Sequence, residues 1–486
     1  MSYHKKYNTK EIWDEYCAEK AAMLVDIGLE PSIYRTESIF REWATKGYSE
    51  EVDIPHAPPS ELGDEKFWLL FDFINNFFDG DMMLFDNFEN SRLARKVGFP
   101  LGAALTLADL ENDVHAVLHR LREKEPVSWV PVINAWVVSR RDDVVAVMRD
   151  AKTYTVDHPG FSTGQVVGPS MLSLDGVEHL RHRGPFERPF RKREVYARFT
   201  QTVANAANEL IDGFIENGGA ELRRDYAGPI AVQVMIAALG LEKTAVSTVL
   251  GWYDAIVAAV TRVAAGEPVT PEGRAAFNAL RDSLLPVLRR DPDSSLLAAA
   301  EGGVSGLSDD QIISNAAVLL FGGIETTEGM IANAFSHLFE NPHILTEAST
   351  NPAILPAVVE ESLRLEPAAA VVDRYATRDV ILRGAHIKKD DLIQVSLAGA
   401  NRDPAVFTNP DRFDPHRSNL RSHVTFAQGP HVCLGIHLAR LEAHDALALA
   451  LQRLPSLRLV NPKRAKPTGL IFRKPEALDV QWSIQS

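Results

Sequence analysis

The sequence predicts a mainly α fold with a minor β part, on three observations. From Arg191 to Leu365 the pattern is overwhelmingly helical. Strand signals are confined to short pieces: VSWVPVINAWVVS, a segment near Val380 to Leu382 and another from Leu392 to Leu397. No repeat, low-complexity tract or flexible linker divides the chain.

Taken in order, a first helix is expected from Asn8 to Asp26, with Asn8 and Glu11 in capping-box spacing and Gly28 just past its end. A second runs from Asp64 to Asp79, its Phe and Leu residues at helical spacing on a face that suits the core or a subunit interface, with a flap over a pocket as the alternative. A third, Leu107 to Glu123, ends before Pro126, and two short strands then fold back around an Asn134 turn. The segment DDVVAVMRD is helical, and the Gly- and Pro-containing stretch from His158 to Ser170 reads as a loop. Beyond the long helical region an irregular, proline-rich run spans Asp403 to Thr425. A final helix covers Leu434 to Leu454, and strand-like pieces close the chain.

The 486 residues include 65 acidic and 51 basic side chains, a formal charge of -14. That balance argues against general affinity for nucleic acid or anionic lipid, so a basic patch has to be local. Two cysteines, Cys17 and Cys433, exclude a disulfide framework and a four-thiolate metal site, and a reducing cytoplasm fits best. The N-terminus has no signal-peptide pattern. The apolar stretch WLLFDFINNFFDGDMMLF is interrupted by Asp72, Asp79 and Asp81, so no membrane span is expected and the chain reads as soluble.

Three stretches carry chemistry. In FAQGPHVCLG, Cys433 ends a glycine-containing turn and begins a helix, where unpaired N–H groups and the helix dipole stabilise a thiolate. A lone cysteine is otherwise a small buried hydrophobe. In FGGIETTEG, Gly322 and Gly323 each cost a helix interior about 1 kcal/mol relative to alanine. Close approach of a flat cofactor or of dioxygen compensates for that, as does a helix–helix contact with Thr326 bonded to its own backbone. In EESLRLEP, Glu361 and Arg364 share a helical face at i, i+3, a pair usually exposed and worth only ~0.5 kcal/mol.

Phe-x-x-Gly-x-His-x-Cys-x-Gly resembles the haem-binding loop of the cytochrome P-450 family, with His431 where arginine is most common. The resemblance implies haem b with the Cys433 thiolate as axial iron ligand, Phe426 near the sulfur, Gly435 beside the flat ligand and His431 at a propionate. FGGIETTEG is similar to the family's acid–alcohol motif, which implies that Thr326 hydrogen-bonds dioxygen above the iron while Glu325 relays protons, with Gly322 and Gly323 on the same distal helix. EESLRLEP and NPDRF resemble the segments that form a buried structural cluster, here Glu361, Arg364 and Arg412. His179 and Arg183 in DGVEHLRHRG, and Arg374 in VVDRYATRDV, match propionate contacts.

The resemblance extends from about Leu107 to the C-terminus. It implies a triangular helical prism with haem between the long distal helix and the helix after the cysteine loop. Residues 107–486 are then the catalytic domain, and residues 1–106 a helical extension packed on the core. The implied activity is a haem-thiolate monooxygenase that inserts one oxygen atom of O2 into a small hydrophobic or aromatic substrate. Ala368 to Val372, Val318, Leu319, Thr468 to Phe472, the His158 to Ser170 loop and the helices around Trp252 to Val263 line the implied substrate face. Peroxide-dependent or rearranging enzymes of this fold, and a non-catalytic haem-binding protein, are the alternatives. No flavin or iron–sulfur segment is present, so electrons come from a ferredoxin or flavodoxin with its NAD(P)H reductase. The basic run RHRGPFERPFRKR is either a solvated face or the docking surface for that acidic partner.

Overall fold

A computed structural model describes residue 95 and residues 98–484, apart from 265, 292–293 and 302–305. The expected helices Asn8 to Asp26 and Asp64 to Asp79, Cys17 and most of the extension lie outside the described residues.

Three short helices, α1 (Pro100–Ala103), α2 (Leu107–Asn112) and α3 (Val114–Lys124), lead into strands β1 (Val127–Val130) and β2 (Ala135–Val138). The single helix expected from Leu107 is split. Thr106 and Asp109 form a capping box at its start, but Asp113 leaves helical geometry at φ -131° and the chain restarts. Asn134 turns the β1–β2 hairpin with φ 49°, as its place between two strands requires. Helix α4 (Arg141–Arg149) and β3 (Tyr154–Thr155) follow. The expected loop from His158 contains a short helix, α5 (Ser162–Val167).

The helical region comprises α6 (Gly176–Glu187), α7 (Lys192–Phe214), α8 (Gly228–Leu239), α9 (Val246–Ala264), α10 (Pro271–Leu284), α11 (Leu296–Glu301), α12 (Asp309–Glu340), α13 (Pro342–Thr350) and α14 (Leu355–Leu365). It is interrupted by β4 (Gly219–Glu221) and a π-helical turn over Arg223–Ala227. Strands β5 (Val371–Ala376), β6 (Val380–Leu382), β7 (Ala385–Ile387) and β8 (Leu392–Ser396) precede α15 (Leu397–Asn401). After the irregular run come α16 (Ile436–Arg453), β9 (Arg458–Leu459), β10 (Pro467–Thr468), β11 (Lys474–Pro475) and β12 (Asp479–Gln481).

The main sheet has the order β1-β2-β8-β5-β3, with β2 and β8 parallel and the other pairs antiparallel. Residues just before Leu107 belong with it. Leu101 and Gly102 donate backbone N–H groups to the Glu125 carboxylate at 2.9 and 3.1 Å, and the Arg95 guanidinium lies 4.5 Å from the Trp129 ring centroid while binding Asp391.

Helix α12 organises the rest. Ser308 and Gln311 cap it reciprocally, and its 32 residues span about 48 Å at 1.5 Å per residue. Helices α8, α14 and α16 pack against it, and α7 packs on α8 and α16, so that Val203, Ile230, Ile331, Phe335 and Leu447 form one apolar core. One described helix, α9, is long and apolar enough to cross a membrane; it packs on α5 and α10.

Candidate active site

The cysteine loop is held from both sides. Gly429 takes φ 75°, and a Cβ there would stand 2.6 Å from the Met148 carbonyl oxygen of α4, so only glycine lets the loop approach that helix. The Cys433 N–H donates to the Phe426 carbonyl at 2.8 Å, and the Phe426 ring lies 4.7 Å beneath the Arg440 guanidinium of α16. Cys433 keeps accessible surface, yet burial pushes its thiol pKa up while the Gly435 backbone N–H pulls it down. A Cβ added at Gly435 would meet only Sγ, at 3.9 Å, so this glycine leaves room beside the sulfur.

The glycine pair on α12 divides into two roles. Gly322 is exposed in the middle of a helix otherwise packed into the core, and a Cβ there would meet nothing within 4 Å. Gly323 is different: its added Cβ would lie 2.3 Å from Met235 Sδ on α8. The expectation that both glycines serve the distal site is thus corrected for Gly323, which is a helix–helix contact. Thr326 Oγ1 donates to the Gly322 carbonyl at 2.5 Å, leaving its lone pairs free to accept. Glu325 Oε1 binds Lys474 Nζ at 2.7 Å, and its Oε2 accepts a short hydrogen bond from the Tyr253 hydroxyl.

Four cationic or imidazole side chains gather on the side of the cysteine loop. His179 contacts the carbonyls of Met171 and Pro430 at 3.0 and 3.2 Å, and burial lowers its pKa, so the neutral ring can donate to only one of the two. The ring of His431 lies 4.2 Å from that of His179, and its Nε2 binds Asp175 at 2.8 Å. Burial alone would raise the pKa of Asp175, but hydrogen bonds from His431, Thr155 and the Val156 N–H hold it well below the carboxylate range. Arg374 is buried and donates to the Asp373 carbonyl at 2.7 Å. Burial lowers its pKa, and the charges of Asp175 and Asp373 oppose that. Arg183 reaches Glu187 at 3.4 Å. A buried guanidinium bound only to its neighbour's carbonyl among the described residues, beside two imidazoles, fits a ligand that brings carboxylates.

One expected cluster is rearranged. Glu361 and Arg364 are fully buried and paired through two hydrogen bonds of 2.8 Å. The third member is Arg417, whose Nε binds Glu361 at 2.8 Å, and not Arg412, which is exposed and offers the cluster only its backbone carbonyl. The chain turns after Phe413, where the Asp414 N–H also donates to Glu361, and this return carries Arg417 inward. Asp175, Tyr253, Lys474 and Arg417 were not legible as site or cluster residues. Only Asp175 had a local signal, standing just ahead of the helix that carries His179.

Contacts form between some of the segments expected to face substrate. Phe321 and Phe472 meet edge to face at 5.6 Å, Phe472 forms a β-bridge with Ala369, and α5 packs on α9.

A cysteine just ahead of one helix, with imidazole and guanidinium side chains around its loop and a glycine–threonine helix packed on the helix that follows it, has the donor set a haem–thiolate site requires. A family profile described as Cytochrome P450 matches residues 281–481. The chain is 35% identical over 384 residues to 20-oxo-5-O-mycaminosyltylactone 23-monooxygenase of Streptomyces fradiae, covering 74% of this chain and 88% of that protein. It is 32% identical over 392 residues to mycinamicin IV hydroxylase/epoxidase of Micromonospora griseorubida, covering 76% and 97%. The solved structure of cytochrome P450 CYP109Q5 from Chondromyces apiculatus superposes with a TM-score of 0.70 at 27% identity, covering 79% of this chain and 98% of that one. The chain belongs to the cytochrome P450 family and is an oxidoreductase of the monooxygenase type.

Proposed function

We propose that the chain inserts one oxygen atom of O2 into a small hydrophobic or aromatic substrate, with Cys433 as the axial ligand of haem b. The observation that carries this reading is the pair Cys433 and Gly322: both keep accessible surface on segments packed within one core. Haem supplies the oxygen chemistry, and a thiolate ligand favours O–O cleavage. His179, Arg183, Arg374 and His431 would hold its carboxylates, and Phe426 and Gly435 would border the sulfur.

The protein's own part is proton handling and exclusion of water. Glu325, paired with Lys474, passes protons from the solvent side. Thr326, donating to Gly322, accepts a hydrogen bond from a water at the distal face and fixes its position. Ala368 to Val372 and Val318 supply a largely apolar wall, which selects hydrophobic substrates. Arg188, Arg191, Lys192 and Arg193 are exposed, and with Arg181 they favour an acidic ferredoxin or flavodoxin delivering electrons from its NAD(P)H reductase in the cytoplasm. The division of the chain into an extension over 1–106 and a catalytic part over 107–486 belongs to the same proposal.

A spin-state screen of small hydrophobic and aromatic compounds identifies ligands of the ferric enzyme. With the best of them, ferredoxin, its reductase and NADPH, the wild type is expected to form an oxygenated product. Thr326→Ala is expected to keep the spin shift but divert most reducing equivalents to hydrogen peroxide. Product formation with added peroxide and none with the ferredoxin system would overturn this reading.

A further inference from the structure

Glu325 has two partners of different kinds, one on each oxygen. Lys474 Nζ is shared, lying 2.7 Å from both Glu325 Oε1 and Glu328 Oε2, while Arg223 Nε binds Glu328 Oε1 at 2.7 Å. Two acids and two bases thus balance. Tyr253 adds no charge: its buried hydroxyl, projecting from α9, donates to Glu325 Oε2. Burial first, and then the negative charges of Glu325, Glu328 and Asp254, push the phenol's ionisation far upward, so it remains a donor at every working pH. Without it, Oε2 loses the hydrogen bond that ties the carboxylate to α9, and Lys474 remains divided between two acids. Helix α9 packs on α5 and α10, so one hydrogen bond from an uncharged donor joins those helices to the residue preceding Thr326.

We propose that Tyr253 is a positioning residue for the acid of the acid–threonine pair, fixing the Glu325 carboxylate from α9 in the place from which it takes up and releases protons. This rests on the reading of Glu325 as the proton relay. Lys474 holds one oxygen of the acid, and Tyr253 decides where its second oxygen points.

The test uses the holoenzyme and its Tyr253→Phe, Glu325→Gln and doubly substituted forms. Substrate-free NADPH oxidation is followed with ferredoxin and its reductase, in H2O and D2O. Infrared difference spectra of the ferric proteins identify the Glu325 carboxylate band by its loss in Glu325→Gln. The expected result is a shifted Glu325 band in Tyr253→Phe, oxidation slowed roughly tenfold or more, as for a lost hydrogen bond to a charged group, and an altered solvent isotope effect. Tyr253→Phe is expected to add nothing in the Glu325→Gln background, because Tyr253 acts through Glu325.

An unshifted band with unchanged oxidation in Tyr253→Phe, while Glu325→Gln is slow, overturns the role of Tyr253 and leaves the relay intact. An equal further loss in the double variant also overturns it. Unchanged rate and isotope effect in Glu325→Gln remove the relay reading and this inference together.

Discussion

Gly322 and Gly323 are neighbours that answer to different neighbours in space, and substitution separates them. Alanine at 323 drives a methyl into Met235 Sδ across the α8–α12 contact, and overpacking of that kind costs about 1–3 kcal/mol. Alanine at 322 meets no protein atom and gains up to about 1 kcal/mol of helix propensity. Thermal unfolding of the two variants is therefore expected to move in opposite directions, with Gly323→Ala melting lower than wild type. Gly322→Ala is expected to fold normally but to weaken or abolish the spin shift produced by the wild type's best ligand, since its methyl occupies the open face. Equal melting temperatures for both variants would contradict this division.

At the scale of elements, helices α14 and α16 are joined beside the cysteine loop by Glu360. It accepts from Arg440 at 2.5 and 2.8 Å and pairs with His423 at 3.1 Å. Burial alone would raise its pKa, but His423 and Arg440 outweigh that and hold it at about 2 in place of 4.5. A carboxylate depressed on folding stabilises fully above its unfolded pKa and loses that contribution as the pH falls through its folded one. The window is thus from pH 4.5 down to about 2, and the contribution is of order 3 kcal/mol. Denaturant unfolding of wild type and Glu360→Gln is expected to differ most near neutral pH and to converge as the pH falls through that window. A difference that does not change with pH would show that the pair is not electrostatic in origin.

The same elements show which features local sequence carries. The β1–β2 hairpin, α12 and the helix after Cys433 are legible because apolar period, turn residues and caps are all local. The break at Asp113 is not, because the apolar helical period of Leu110, Val114, Val117, Leu118 and Leu121 runs on across it while the backbone leaves the helix at one position. Helix α5 was hidden for the opposite reason: six residues between a proline and glycines give too little period to separate from a loop.

Across the whole molecule, the site is a meeting of distant segments. Cys433, Glu325, Thr326 and the Glu361–Arg364 pair stand in compact motifs, so the sequence alone singles them out. Tyr253 lies 72 residues from Glu325, and Asp175 lies 256 from His431, and no short spacing marks either pairing. Arg412 and Arg417 fall in one irregular run, and only the path of the chain after Phe413 decides which guanidinium turns inward. His431, the residue that departs from the family's usual arginine, is held by Asp175 and meets the His179 ring edge to face.

The central claim is that Cys433 ligates haem iron as a thiolate, and the spectrum of the reduced enzyme under carbon monoxide tests it most directly. The wild type is expected to give the strongly red-shifted Soret band of a thiolate-ligated haem, and Cys433→Ser to lose it. A wild-type band at the position typical of histidine-ligated haem, or a red-shifted band that survives in Cys433→Ser, would contradict the account.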